Sequence, residues 1–301
     1  MSWLVFAFSG PVLWAVSIHL DKYLVSRYFA QSSVAVLLVF TALVGLLLLP
    51  PIWYVRPAVI DLPLGGMALI ALSGLLYMTA IFFYLRALQA EEASVVAPFF
   101  QAAPLFGYVL AYFVLGERLS GLQMAGGGLI VAGGALLSVG LGDRRAFKAR
   151  LVLLMLACAF ALALTGLIFK IYAIRDEFWT ATFWAFAGQA LFGAFLLAIK
   201  RYRRQFLALL RADPVPVLAI SGANELINLA GILGARYALL FAPLSLVQAI
   251  GSTTTLFVFA IGAAVSAWRP ALGREDLSAG NLAQKAVSAI LIAAGAILIN
   301  Q

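Results

Sequence analysis

Charge is scarce in this sequence. Only 11% of its 301 residues are Asp, Glu, Lys or Arg, against roughly a quarter in soluble domains, and 64% are hydrophobic. That balance excludes an ordinary soluble globule. A single cysteine, Cys158, rules out an internal disulfide. With a single histidine, His19, there is no cluster of imidazole and thiolate ligands for a metal. A Gly-Lys-Ser phosphate loop and a serine–histidine pair are missing too, which argues against ATP drive and hydrolysis. No enzymatic activity, metal or cofactor is expected.

Long apolar runs are what the chain does have. Crossing the hydrocarbon core takes about 20 residues in a helix. Uncharged runs of about that length lie at Ser2–Ile18, Val34–Val55, Leu62–Leu85, Ala93–Gly116, Leu119–Gly142, Leu151–Phe169, Phe178–Ile199, Tyr237–Trp268 and Ala286–Gln301. A tenth, Pro214–Ala235, is interrupted only by Glu225. None alternates as a barrel strand would, so backbone satisfaction in lipid leaves helices. The expected fold is an all-α integral membrane protein with ten transmembrane helices. The first run lacks a basic n-region and a small-residue cleavage site, so it is expected to be a retained helix.

The net charge of +8 sits between the runs rather than on a soluble face. Its densest stretches are Arg144, Arg145, Lys148 and Arg150, then Lys200, Arg201, Arg203 and Arg204. Short basic loops of this kind face the cytoplasm and meet anionic lipid, not nucleic acid. Counted by loop, fifteen basic residues follow odd-numbered runs and five follow even-numbered ones. The charge rule then puts both termini outside.

The chain also repeats itself at a spacing near 148 residues. Lys22 and Arg27 correspond to Lys170 and Arg175, and Ser73-Gly74 to Ser221-Gly222. Ala87-Leu88 matches Ala238-Leu239 after a short slip, and Gly134-Ala135 answers Gly295-Ala296. Five spans per half is an odd number, so the second half enters the membrane inverted. Inverted repeats place a substrate site at their interface near the midplane and work by alternating access.

Trp14, Lys22, Arg86-Ala87-Leu88, Ala93, Pro104-Leu105, Gly116-Glu117-Arg118-Leu119 and the glycines from Gly126 occur in an order that resembles the drug/metabolite transporter superfamily, EamA type. The resemblance implies a ten-helix carrier of two five-helix EamA-like repeats, at 1–142 and 151–301, joined by a basic loop at 143–150. The second half departs from the pattern: its glycine–glutamate motif reads Leu272-Gly273-Arg274-Glu275, followed by an insertion. The resemblance also implies cytoplasmic termini, against the loop count.

Glu225 is the first candidate for chemistry. Ser221, Asn224, Glu225 and Asn228 fall at i, i+3, i+4 and i+7, one polar stripe on an otherwise apolar helix. A carboxyl among amides accepts hydrogen bonds when ionised and donates one when protonated, so it can exchange a proton for a cationic or polar solute. The alternative is an interhelical lock, with Glu225 paired to Lys170, Arg236 or a neighbouring amide. Gln248, Ser252, Thr255 and Phe259 form a second single-face stripe, lining a pathway or bonding back to helix carbonyls. Pro243 suits the first turn of that helix. Pro11 is expected to free a carbonyl near Trp14, Ser17 and Asp21, with His19 close by as a titratable relay or an interfacial residue. Pro98 and Pro104 bracket Gln101 in what should be the most kinked helix of the first half. Tyr77 and Tyr84 share a face with Ser73, as a cavity wall or as packing. Gly128 and Ala132 have the spacing of a close-packing face, which favours helix contact over function.

Gly140-Leu141-Gly142-Asp143 spells an intramembrane protease motif, but that chemistry needs a second aspartate inside another span, and none is expected there. The sequence therefore points to a secondary transporter of a small metabolite (amino-acid-like, cationic or drug-like) in the plasma or inner membrane, with proton coupling at Glu225. The alternatives are a lipid-linked sugar flippase and a non-transporting receptor or assembly subunit. The expected partners are a small-molecule substrate and the lipid bilayer, with no nucleic acid, in a monomer or homodimer.

Overall fold

A computed structural model describes residues 3–28, 33–90, 99–100, 102–138, 149–175, 177–212, 214–268 and 279–299. Among them there are helices and no strand. In chain order they are α1 (Trp3–Arg27), α2 (Ala35–Val55), α3 (Leu64–Ala90), α4 (Ala102–Leu115), α5 (Gly121–Ser138), α6 (Ala149–Arg175), α7 (Phe178–Ala198), α8 (Lys200–Ala212), α9 (Pro214–Ala238), α10 (Leu244–Gly251), α11 (Thr254–Trp268) and α12 (Ala279–Ile299). A short 3-10 turn covers Pro57–Ile60. Among the described residues, seven segments are long and apolar enough to cross a membrane, with Ala102–Leu115, Gly121–Gly133 and Ala286–Leu298 as shorter apolar helices. This is a multi-pass membrane protein.

Side-chain contacts fix which helix ends lie together. At one end, Phe6 of α1 meets Tyr237 of α9, which meets Phe178 of α7. Arg56, just past α2, reaches Glu177 before α7 at 3.6 Å. At the other end, the Ser33 amide before α2 bonds the Gln205 side chain of α8 at 3.3 Å, and Phe40 stacks on Phe206. α1 and α7 therefore run opposite to α2 and α9. α8 is the amphipathic exception. Its Phe206 is buried while Lys200, Arg201, Arg203, Arg204 and Arg211 are exposed, the pattern of a helix lying in the interface.

Small residues set the closest crossings. A Cβ on Gly74 would lie 2.0 Å from the Ala185 carbonyl, and one on Gly188 would lie 1.9 Å from the Ala71 carbonyl. The α3 and α7 backbones thus touch, an approach only glycine permits. Gly222, the repeat counterpart of Gly74, meets nothing within 4 Å. α5 and α12 cross where Gly133 abuts Ile292 and Gly295 abuts the Gly126 carbonyl. Gly128 meets nothing within 4 Å, so the face predicted from Gly128 and Ala132 is not the one Gly133 presents to α12.

Several boundaries differ from the sequence expectation. α1 runs on to Arg27, α3 to Ala90 and α6 to Arg175, so Asp21, Lys22, Arg86 and Lys170 lie inside helices rather than in loops. Arg236 likewise lies inside α9. The imbalance in loop charge keeps its direction without them. The run Tyr237–Trp268 is not one helix. α9 extends through Ala238, a turn follows, and Pro243 caps α10 from the residue before its first turn. A second break at Ser252–Thr253 separates α10 from α11. Thr253 and Thr254 donate their hydroxyls to the Ile250 and Gly251 carbonyls at 2.7 and 2.6 Å, tying the break back to the end of α10. Pro104 falls in the first turn of α4, where it costs no hydrogen bond, instead of kinking it. Pro98 and Gln101 lie outside the described residues.

Candidate functional site

A cavity of about 320 Å³ lies between α1, α2, α3, α6, α9, α10 and α11. Its walls are mostly apolar, and its charged groups are on α1 and α9. A helix that turns one stripe inward presents residues three and four apart, and the α9 stripe does this. Its members find partners on three different helices. Asn224 donates from Nδ2 to Asp21 Oδ1 at 2.8 Å, reaching α1. Glu225 Oε1 accepts from the Thr41 hydroxyl at 2.6 Å, reaching α2. Asn228 lies against both Glu225 and Tyr77 of α3. Ser221 is buried but does not line the cavity, and its hydroxyl has no hydrogen-bond partner.

The remaining predicted residues divide. Trp14 and Tyr77 line the cavity. Trp14 is wedged at the α1–α9 crossing, where a Cβ on Gly231 would approach its Nε1 to 2.8 Å. Gln248, Ser252 and Thr255 line it as well, and the last two hydroxyls face helix carbonyls at 3.4 Å. Gln248 is wedged into the space left by Gly107, whose Cβ would collide with it. His19 is outside the cavity, with Nε2 at 2.9 Å from the Val258 carbonyl, so it ties α1 to α11. Gln101 cannot be placed, since it is not among the described residues.

Two charged residues of the cavity were absent from the predicted set. Asp21 was expected beyond the end of its span and instead lines the cavity beside Glu225. The premise that no second aspartate lies inside a span is therefore corrected, while Asp143 lies outside the described residues. Arg236 lines the opposite part of the cavity, with its guanidinium 4.7 Å from the Phe169 ring centre and 5.1 Å from that of Phe186. Both lie next to apolar runs, where hydropathy reads a charge as the start of a loop. Their helical phase was the available clue: Asp21 shares a face with Trp14 and Ser17, and Arg236 is eleven residues, about three turns, beyond Glu225.

A buried ion pair closes the end beyond Arg236. Lys170 Nζ lies 2.5 Å from Glu117 Oε1 and donates to the Ala242 carbonyl at 2.5 Å. Glu117 Oε2 accepts from the Leu244 amide at 3.0 Å, so one carboxylate caps α10 and neutralises Lys170. The Gly-Glu motif explains this geometry. Gly116 adopts φ +66 and ends α4, and the Glu117 amide closes back on the Ala111 carbonyl. Lys170 therefore pairs with Glu117, not with Glu225 as the lock reading allowed. Among the described residues no group of three or more potential ligands for a metal is found.

Residues 1–139 match the model of the EamA-like transporter family. The match covers somewhat less than half of the chain, so it is the first half that is similar to that family. No curated protein matches the sequence. A solved structure described only as "Crystal structure of protein" superposes with a TM-score of 0.69 at 17% identity, covering 99% of this chain and 96% of that one. At that identity the likeness is one of fold, and it spans both halves of the chain. Members of this family are transporters of small molecules across membranes.

Proposed function

We propose that this EamA-like protein is a secondary transporter that moves a small metabolite, amino-acid-like, cationic or drug-like, by alternating access through the central cavity. The observation that carries the reading is the convergence of Asp21, Asn224 and Glu225 in a mostly apolar cavity, with Thr41 and Asn228 holding Glu225. Ionisable groups at membrane depth are costly and mark solute or proton pathways. Glu225 is the exchanging carboxyl, able to hand its proton to one side as substrate takes its place.

The packing supports two inverted five-helix repeats, 1–142 and 151–301, about the 143–150 loop. α1 packs mainly on α9 and α3 on α6, which are the same pairing with the halves exchanged. α2 packs on α7 and α5 on α12, each helix meeting its own counterpart. A two-fold exchange of this kind lets one sequence rock between outward and inward arrangements. The protein acts in the plasma or inner membrane, as a monomer or homodimer.

The test is uptake into proteoliposomes. Saturable uptake of a cationic or amino-acid-like solute is expected, with a pH-driven component that Glu225→Gln removes. If that component survives the substitution, the proton role fails. If no solute of a broad panel is moved and a protein partner binds tightly instead, transport itself fails.

A further inference from the structure

Opposite charges occupy the two ends of the cavity, and neither has an ionic partner among the described residues. Glu225 and Arg236 are eleven residues apart on α9, which returns to nearly the same face. Three turns correspond to about 16 Å of rise, and the arginine leans back toward the helix N-terminus, so the charged groups stand roughly 10–15 Å apart.

Each end also carries an unused hydrogen-bonding atom. Asn224 is 2% exposed and lines the cavity, and its Oδ1 has no partner although its Nδ2 is committed to Asp21. With the two carboxylates it makes three acceptor groups, matching the three donors of an ammonium. At the far end Arg236 is 6% exposed, and its Nη1 has no partner. Stacking on Phe169 and Phe186 uses the ring-facing side of the guanidinium and leaves the N–H edge for an anion. A simple cation would satisfy the first end and leave Arg236 uncompensated in a low-dielectric site. A simple anion would do the reverse.

We propose that the cavity binds an elongated dipolar solute, with an ammonium held by Asp21, Asn224 and Glu225 and a carboxylate held by Arg236, joined by an apolar body along Tyr77 and Ile232. This deepens the transport reading and rests on the cavity being the substrate site. It also separates the substrate from a simple α-amino acid, whose ammonium and carboxylate are only about 3 Å apart and cannot reach both ends.

The test is calorimetric binding to the full chain in nanodiscs, with empty discs subtracted. The probes are glycine, an ω-amino acid of about eight carbons whose extended charges lie ~10 Å apart, the alkylamine of equal length and the fatty acid of equal length. The ω-amino acid is expected to bind at least about tenfold more tightly than each of the other three. Arg236→Gln is expected to erase its advantage over the alkylamine, and Glu225→Gln its advantage over the fatty acid, while Arg236→Lys retains part of the former. The probe comparison on the unsubstituted protein decides the matter even if a variant fails to fold. Equal binding of glycine or the alkylamine, or no binding by any probe, overturns the proposal. Failure of the cavity reading shows separately: a bulky thiol adduct at Ile81→Cys, which lines the cavity, would then leave binding untouched. If the adduct blocks binding but the ω-amino acid has no advantage, only the dipolar inference falls.

Discussion

Replacing Lys170 by Met removes an ammonium that touches Glu117 and the Ala242 carbonyl, both at 2.5 Å. The Lys170 side chain is 7% exposed and that of Glu117 17%, so water replaces little of what is lost. Breaking a buried pair by deleting one partner costs ~3–5 kcal/mol, and the partial exposure of Glu117 lowers the expectation to ~2–4 kcal/mol. Glu117→Gln leaves an acceptor for the Leu244 amide but strands Lys170, at a similar cost. The double variant carries no stranded charge, so its cost should fall short of the sum of the singles by at least ~1 kcal/mol. Equilibrium unfolding in mixed micelles across the four proteins measures this coupling. Strictly additive singles, or singles each below ~1 kcal/mol, would refute the reasoning by showing that the pair is effectively solvated. The pair also joins the C-terminal turns of α4 and α6 to the start of α10, so each single variant is expected to raise thiol labelling of a cysteine at Leu239.

Gly74→Ala should destabilise the protein by ~2 kcal/mol or more, because its Cβ would lie 2.0 Å from the Ala185 carbonyl, whereas Gly222→Ala, with nothing within 4 Å, should be neutral within ~0.5 kcal/mol; thermal unfolding of the two compares them directly. Thr41→Val removes the donor to Glu225 and should cost ~1–3 kcal/mol while altering solute binding, and an unchanged binding isotherm would separate Glu225 from the site. His19→Gln should leave uptake unchanged, because His19 bonds a backbone carbonyl outside the cavity. The exposed basic face of α8 should lie on the cytoplasmic leaflet, so an impermeant reagent should label Leu207→Cys only in inside-out vesicles; labelling from outside would restore the orientation that the family resemblance implies.

Much of the architecture was legible from composition and run length. Glu225 was legible as well, because a carboxylate alone in an apolar run is conspicuous by local hydropathy. Asp21, Lys170 and Arg236 were not. Each sits where an apolar run ends, and hydropathy cannot distinguish a helix that stops from one that continues with a charge facing inward. The double break around α10 was equally hidden, since Ser252, Thr253 and Thr254 look like ordinary small residues until their hydroxyls are seen bonding carbonyls three and four residues back.

The sequence by itself determined that the chain is helical and membrane-embedded, and that α9 carries a polar stripe. Those properties follow from apolar area and backbone hydrogen bonding, which are satisfied within a single helix. Only the tertiary structure decided which charge meets which. Asn224 and Asp21 are 203 positions apart, and Lys170 chooses Glu117 over Glu225. A buried charge is settled by whatever helix packing brings within about 3 Å of it, and helix packing is a property of the whole bundle.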